Sequence, residues 1–366
     1  MEINSGNSRQ IWAWVACLTL VLTCAGCGLL PSNGFGSSNS QIPPQIPAVN
    51  PLSCKLLKAS AYAYNVNSTG VIQPDADVSK LFGETGEAFG VSSSGNGQTN
   101  SDRDAAFIWR SADEVIIAFR GTLPFRTDSQ QDSDNQNLII QDWLNDADFI
   151  PQPDPELGLV HRGFKASFDN LWPGIIRQIK AWQAAGKLGP QVKVYITGHS
   201  KGGALAMLAA LKLRAENILP VTEVLTFAAP RVGGEDFAKK YAAQDIVGYR
   251  YENQDDVVPH VPLDKQELQI LPLIEKSLGI NGNQTGDYVS VGQLRYITTD
   301  ISIITPADAA AEADLDQTRM AEFGVLLLGN YQDVINTIIN AHSIGDMSKS
   351  DDSRYYQAVC GAHSGN

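Results

Sequence analysis

The stretch VYITGHSKGGALAMLAAL, residues 194–211, constrains this chain more than any other. Apolar residues lead into Thr197 and Gly198, a serine follows between two glycines, and an alanine-rich run takes over. The first part reads as a buried strand and the last, built from strong helix formers, as a helix. At their junction Gly198-His199-Ser200-Lys201-Gly202 fits the pattern G-x-S-x-G. A strand that becomes a helix so abruptly forces the central serine into a strained backbone conformation. Gly198 and Gly202 must lack side chains, because strand and helix nearly touch there. Such an elbow lifts the serine Oγ above the sheet and aims the helix N-terminus at any oxyanion formed beside it. Ser200 is therefore the candidate nucleophile.

A serine hydroxyl is a poor nucleophile near neutral pH unless a base takes its proton. A histidine and a carboxylate are expected downstream, in the order Ser, Asp, His. Three histidines follow Ser200. His260 shares a proline-stiffened loop with the acid candidates, and His363 lies in a polar tail. His342 follows a long apolar helical pattern and starts a loop, a suitable place for a base that reaches over a sheet edge. It is the expected base. For the acid, NQDDVVPH (253–260) offers Asp255 and Asp256 at a strand end, and spacing alone does not separate them.

The surrounding pattern fits this core. AAFIWRSADEVIIAFRGT (105–122) reads as a hairpin, and residues 160–186 carry apolar residues at helical spacing. An opening helix is expected over 56–64, strands over 221–233, 247–262 and 287–298, and a late helix over 326–343. Strands alternating with helices imply an α/β fold whose largely parallel sheet is covered on both faces.

The N-terminal segment reads separately. IWAWVACLTLVLTCAGCGLL (11–30) is apolar, and a run of roughly 20 such residues can serve as a signal or anchor. TCAGC resembles a bacterial lipobox in which Cys27 would be lipidated, although Cys24 stands where leucine is usual. Residues 1–27 are thus expected to be a signal, and 28–51, rich in Ser, Gly, Asn and Pro, a tether to a domain over 52–366. All of these readings export the domain. Of five cysteines, Cys17, Cys24 and Cys27 fall in the signal, while Cys54 and Cys360 lie at opposite ends of the folded part and can pair after export. The net charge of −13 and the lack of a dense basic run speak against nucleic-acid binding and polybasic lipid docking.

The elbow GHSKGGALA resembles that of the class 3 lipases, which include fungal triacylglycerol lipases and phospholipase A1-type enzymes. IIAFRGT (116–122), VHRGF (160–164), TFAAPRVG (226–233) and DDVVPHVP (255–262) agree with that family in order and spacing. The resemblance implies an α/β-hydrolase fold with a lid loop and a serine carboxylic-ester hydrolase of lipids that needs no cofactor or metal. It also implies that Asp256 is the acid, that His342 is the base, and that the oxyanion is held by Thr122 and the backbone N–H of Lys201. Some family members tie the first helix to the C-terminal tail by a disulfide, which favours Cys54–Cys360. Two departures stand out. Lys201 replaces a common leucine, and the segment expected to form the lid, TDSQQDSDNQN (127–137), is polar and acidic, with apolar residues only at Leu138, Ile139, Ile140 and Trp143. That segment favours an alternative, an esterase of soluble or cell-wall esters such as feruloyl or acetyl groups. A non-catalytic surface binding protein on the same scaffold is disfavoured by the complete set of triad residues. The expected partners are a lipid or small ester and, through the N-terminal anchor, a lipid interface.

Overall fold

The two β-rich runs that flank Ser111-Ala112-Asp113 do form a hairpin, and the fold is built outward from it. The computed structural model describes residues 50–72, 78–83, 85–93, 104–122, 151–265, 267, 288–344 and 353–361. The signal and Cys27, most of the tether, the polar segment 127–137 with residues 138–143, and His363 lie outside the described residues.

In chain order the described elements are α1 (Pro51–Tyr62), α2 (Val78–Phe82), β1 (Glu87–Ser92), β2 (Ala105–Arg110), β3 (Glu114–Phe119), β4 (Pro151–Asp154), β5 (Gly158–His161) and α3 (Arg162–Ala184). They continue with β6 (Lys193–His199), α4 (Lys201–Ala215), β7 (Val221–Phe227), β8 (Gly233–Gly234), α5 (Glu235–Ala242) and β9 (Gly248–Asn253). The last are β10 (Tyr288–Val289), β11 (Gln293–Ile297), β12 (Ile303–Ile304), α6 (Ala309–Leu326), α7 (Tyr331–His342) and α8 (Arg354–Cys360).

Among the described residues, the main sheet runs β1-β2-β3-β6-β7-β9-β11-β12. Its five central strands, β3, β6, β7, β9 and β11, pair in parallel, and the outer pairings are antiparallel. A small antiparallel sheet, β10-β8-β5-β4, stands beside it.

The inner strands β2, β3 and β6 are buried on both faces and are nearly continuous apolar runs, whereas β9 carries the buried polar residues Arg250, Glu252 and Asn253. Alternate residues sort cleanly between two cores. Val115, Ile117, Val194 and Ile196 face one core with α3 and α4. Ile116, Ala118, Tyr195 and Leu225 face the other with α1 and α8. The helices therefore cover both faces. Along α3 the stripe Phe164, Phe168, Leu171, Ile175, Ile179 and Trp182 is buried, each side chain contributing roughly 1.5–3 kcal/mol.

The structure differs from the sequence reading at several places, and the strands expected over 221–233 and 247–262 end at Phe227 and Asn253. The opening helix begins at Pro51 rather than 56, because Asn50 caps it by accepting from the Leu52 and Ser53 N–H groups. The expected strand over 287–298 is two strands in different sheets, β10 and β11, broken at Gly292 where φ is 88°. The late helix starts at Tyr331, since residues 327–330 form a turn after a separate helix, α6. That helix was not foreseen. Among the described residues no helix is long and apolar enough to cross a membrane. Cys54 and Cys360 are joined by a disulfide, as expected, and it ties α1 to α8.

Candidate active site

Ser200 sits between β6 and α4 with φ 56° and ψ −134°, a region that costs a non-glycine residue about 1–3 kcal/mol. The glycines permit this. A Cβ on Gly198 would lie 2.2 Å from the Gly202 carbonyl oxygen, and one on Gly202 would lie 2.1 Å from that of Phe119. The Ser200 N–H is held by the Phe227 carbonyl at 2.9 Å, which anchors the elbow to the next strand. No side chain caps α4. Helix geometry leaves the first N–H groups of α4, Lys201 included, without intrahelical partners. They form a ready donor set for negative charge beside the serine.

The structure separates the two candidate acids. Asp256, buried after the end of β9, places both carboxylate oxygens 3.0 Å from His342 Nδ1. It also accepts from the Tyr355 hydroxyl at 2.9 Å and the Val258 N–H at 3.0 Å. Asp255 turns instead to Arg354 at 2.9 Å. A carboxylate can only accept, so Nδ1 carries the proton and Nε2 of a neutral His342 keeps its lone pair. That is the protonation pattern of a general base. His342 is the last residue of α7 rather than the first of a loop.

Ser200 and His342 are brought to the same corner through His199, whose ring centroid lies 4.7 Å from that of His342. Among the described residues, Ser200 Oγ makes no hydrogen bond to the imidazole. Such bonds are often long before substrate binds and tighten in the complex. His260, by contrast, is buried with Nδ1 2.6 Å from Glu267, within an ionic cluster that includes Arg231.

Thr122 follows β3, and its Oγ1 is buried without a hydrogen-bond partner among the described residues. A donor left unsatisfied in a protein interior carries a desolvation cost, and a substrate oxyanion at that point would relieve it. The Lys201 ammonium is held by Asp104 at 2.9 Å with both side chains largely buried, so its charge is already paired. Sequence reasoning missed Asp104, Tyr64, Asn253 and Tyr355. Asp104, Tyr64 and Tyr355 lie outside the motifs quoted above, and Asn253 opens the segment NQDDVVPH without a role assigned to it.

Residues 117–266 match the family model of the lipases (class 3). A lipase of Rhizomucor miehei is 36% identical over 132 residues, which cover 34% of this chain and 34% of the relative. Secreted mono- and diacylglycerol lipase 1 of Fusarium solani is 38% identical over 152 residues, covering 41% of this chain and 39% of the relative. The chain spans under half the length of the curated relatives it matches. A solved Rhizomucor miehei lipase propeptide complex, in a deletion mutant, aligns at a TM-score of 0.50 and 20% identity, covering 81% of this chain and 80% of that one. This likeness concerns the fold, which is that of an α/β-hydrolase with a mostly parallel central sheet. The matched residues 117–266 hold Thr122, the elbow and Asp256, so the likeness to the class 3 lipase family falls on the candidate site itself.

Proposed function

We propose that this protein is a serine carboxylic-ester hydrolase acting on acyl lipids, with Ser200 as nucleophile, His342 as base and Asp256 as its orienting acid. The carrying observation is the Asp256–His342 contact, 3.0 Å to each carboxylate oxygen, set in the same corner as a serine in a strained elbow. In this reading Ser200 Oγ attacks the ester carbonyl carbon while His342 Nε2 takes its proton. Asp256 keeps the imidazole in the required tautomer and stabilises the imidazolium. The oxyanion receives the Lys201 N–H together with the Thr122 amide and hydroxyl. Collapse breaks the C–O bond, and the alcohol leaves with the proton returned by His342. Water then clears the acyl-enzyme by the same route. Positioned base catalysis supplies about 10²–10⁴-fold, and each oxyanion donor about 10²–10³-fold.

The lipid substrate class is supported by the family match and by relatives whose names specify lipases and mono- and diacylglycerol lipases. Triacylglycerol, phospholipid and galactolipid esters all fall within it. A second reading, hydrolysis of soluble or cell-wall esters, is favoured by the polar character of residues 127–137. Export is supported by the apolar segment 11–30, by the Cys54–Cys360 disulfide, which suits an oxidising compartment, and by the secreted relative. Cys27 is the proposed lipidation site.

The test follows hydrolysis of a short-chain ester as its concentration crosses the solubility limit, with Ser200→Ala alongside. A rate that jumps at the limit and disappears in the variant supports the lipase. Smooth saturation that still requires Ser200 transfers the assignment to soluble esters. A fully active Ser200→Ala variant removes Ser200 as the nucleophile, and a wild type without hydrolysis on any ester leaves a binding protein.

A further inference from the structure

We propose that Tyr64 and His199 form a positioning relay that fixes the base and the oxyanion donors relative to the nucleophile. The relay rests on the roles assigned above to Ser200, His342 and Thr122. His199 Nε2 lies 2.8 Å from the backbone carbonyl oxygen of His342. A carbonyl only accepts, so Nε2 carries the proton and Nδ1 is the acceptor. Nδ1 is met at 2.8 Å by the Tyr64 hydroxyl, which must therefore donate to it. The phenolic oxygen packs directly against Gly121, where a Cβ would lie 2.3 Å from it. A one-directional chain results: Tyr64 O–H to His199, then His199 N–H to the His342 carbonyl. Hydrogen bonds ordered in one direction polarise and strengthen one another.

The chain touches the backbone at every component of the proposed site. His199 precedes Ser200, Gly121 precedes Thr122, and the terminal acceptor belongs to His342 itself. A helix end leaves its last carbonyls without intrahelical partners. At the end of α7, the His342 carbonyl is bound by His199 from β6, and the Ala341 carbonyl by Asn253 Nδ2 from β9 at 2.9 Å. Two strand ends therefore grip the turn that carries the base. The fit is tight, since a Cβ on Gly121 would lie 2.3 Å from the Tyr64 hydroxyl and 2.8 Å from the His199 carbonyl oxygen.

The relay also works as a neutral spacer. Burial, and then the neighbouring His342, hold His199 well below the ordinary imidazole range. Burial pushes the Tyr64 phenol up, outweighing Arg120 and the Gly121 N–H. The titratable groups around His199 are Tyr64 after α1 and His342 on α7, with Asp256 behind His342 and Arg120 behind Tyr64. A protonated His199 would oppose the imidazolium that must form on His342, whose ring centroid is 4.7 Å away. Tyr64 donation into Nδ1 occupies the site where that proton would add.

Two measurements test this on the full chain. In ring ¹H–¹⁵N spectra of histidine-labelled protein, His199 is expected as the neutral Nε2–H tautomer from about pH 5 to about pH 8. An Nδ1–H tautomer, or a ring that protonates near about pH 6.5, overturns the relay without any variant. In ester hydrolysis, Tyr64→Phe is expected to lower kcat about tenfold with KM within about twofold. Its acid limb should steepen as His199 begins to titrate. Wild-type kcat with an unchanged pH profile in Tyr64→Phe also overturns the relay. Ser200→Ala run in parallel separates the two ideas: activity retained there defeats the Ser200 nucleophile assignment, whereas the His199 tautomer is read independently of turnover.

Discussion

The Tyr355 hydroxyl donates to Asp256 Oδ2 at 2.9 Å, and the helix that carries it ends at Cys360, the disulfide partner of Cys54. The C-terminal helix is thereby fastened to the first helix at one end and to the proposed catalytic acid at the other. Tyr355 is fully buried and also accepts from the Asn253 N–H at 3.0 Å.

Tyr355→Phe leaves a buried carboxylate and a backbone N–H each short of a partner. A stability loss of about 1.5–3 kcal/mol is expected in chemical denaturation. A fall in kcat of about tenfold should accompany it, with KM little changed. Wild-type kcat in the destabilised variant would remove Tyr355 from the proposed site and leave it a structural role.

The disulfide closes a loop with a sequence separation of 306 residues. Replacing both Cys54 and Cys360 by serine should cost about 2–5 kcal/mol. Melting with and without reductant checks it: wild type should lose Tm on reduction, and the double variant should not respond.

Acid should weaken the fold in two stages. Burial holds His161 down to about 4 and His199 well below its ordinary value. Unfolded histidine titrates near about 6.5, so below that pH the unfolded state binds more protons and stability falls as pH drops toward about 4. Glu252 and Glu267 add a second stage. Burial would raise both, but Arg250 and Arg319 outweigh it and hold Glu252 at about 2, while Arg231 and His260 hold Glu267 far below the carboxylate range. Their stabilisation is complete above the unfolded value of about 4.3 and is lost as pH falls from there toward about 2. Urea unfolding at a series of pH values measures both stages. Constant stability between about pH 7 and about pH 4 would contradict the histidine stage.

Gly202→Ala drives a methyl group to within 2.1 Å of the Phe119 carbonyl oxygen, a backbone atom that cannot swing aside. Overpacking of this kind costs about 1–3 kcal/mol or more, and here it also displaces the elbow. Reduced Tm together with loss of ester hydrolysis is the expected result.

The elbow was legible because its constraint is local: two glycines around one serine, between a strand pattern and a helix pattern. Both core faces followed from unbroken apolar runs. Asp255 and Asp256 were indistinguishable by spacing because what separates them is distant in sequence. Arg354 takes one and Tyr355, with His342, takes the other. Tyr64 carried no signal either, since a tyrosine in an alanine-rich opening helix reads as core. The boundary between β10 and β11 was hidden because Gly292 turns the chain inside a stretch of even β character.

The central claim is that Ser200 is the nucleophile, and covalent labelling tests it most directly. The intact protein is treated with a fluorophosphonate, and the modified residue is located by mass spectrometry. A single adduct on Ser200, absent in Ser200→Ala and formed far more slowly in His342→Ala, is the predicted result. No adduct on Ser200 in a folded protein that still hydrolyses esters would contradict the account.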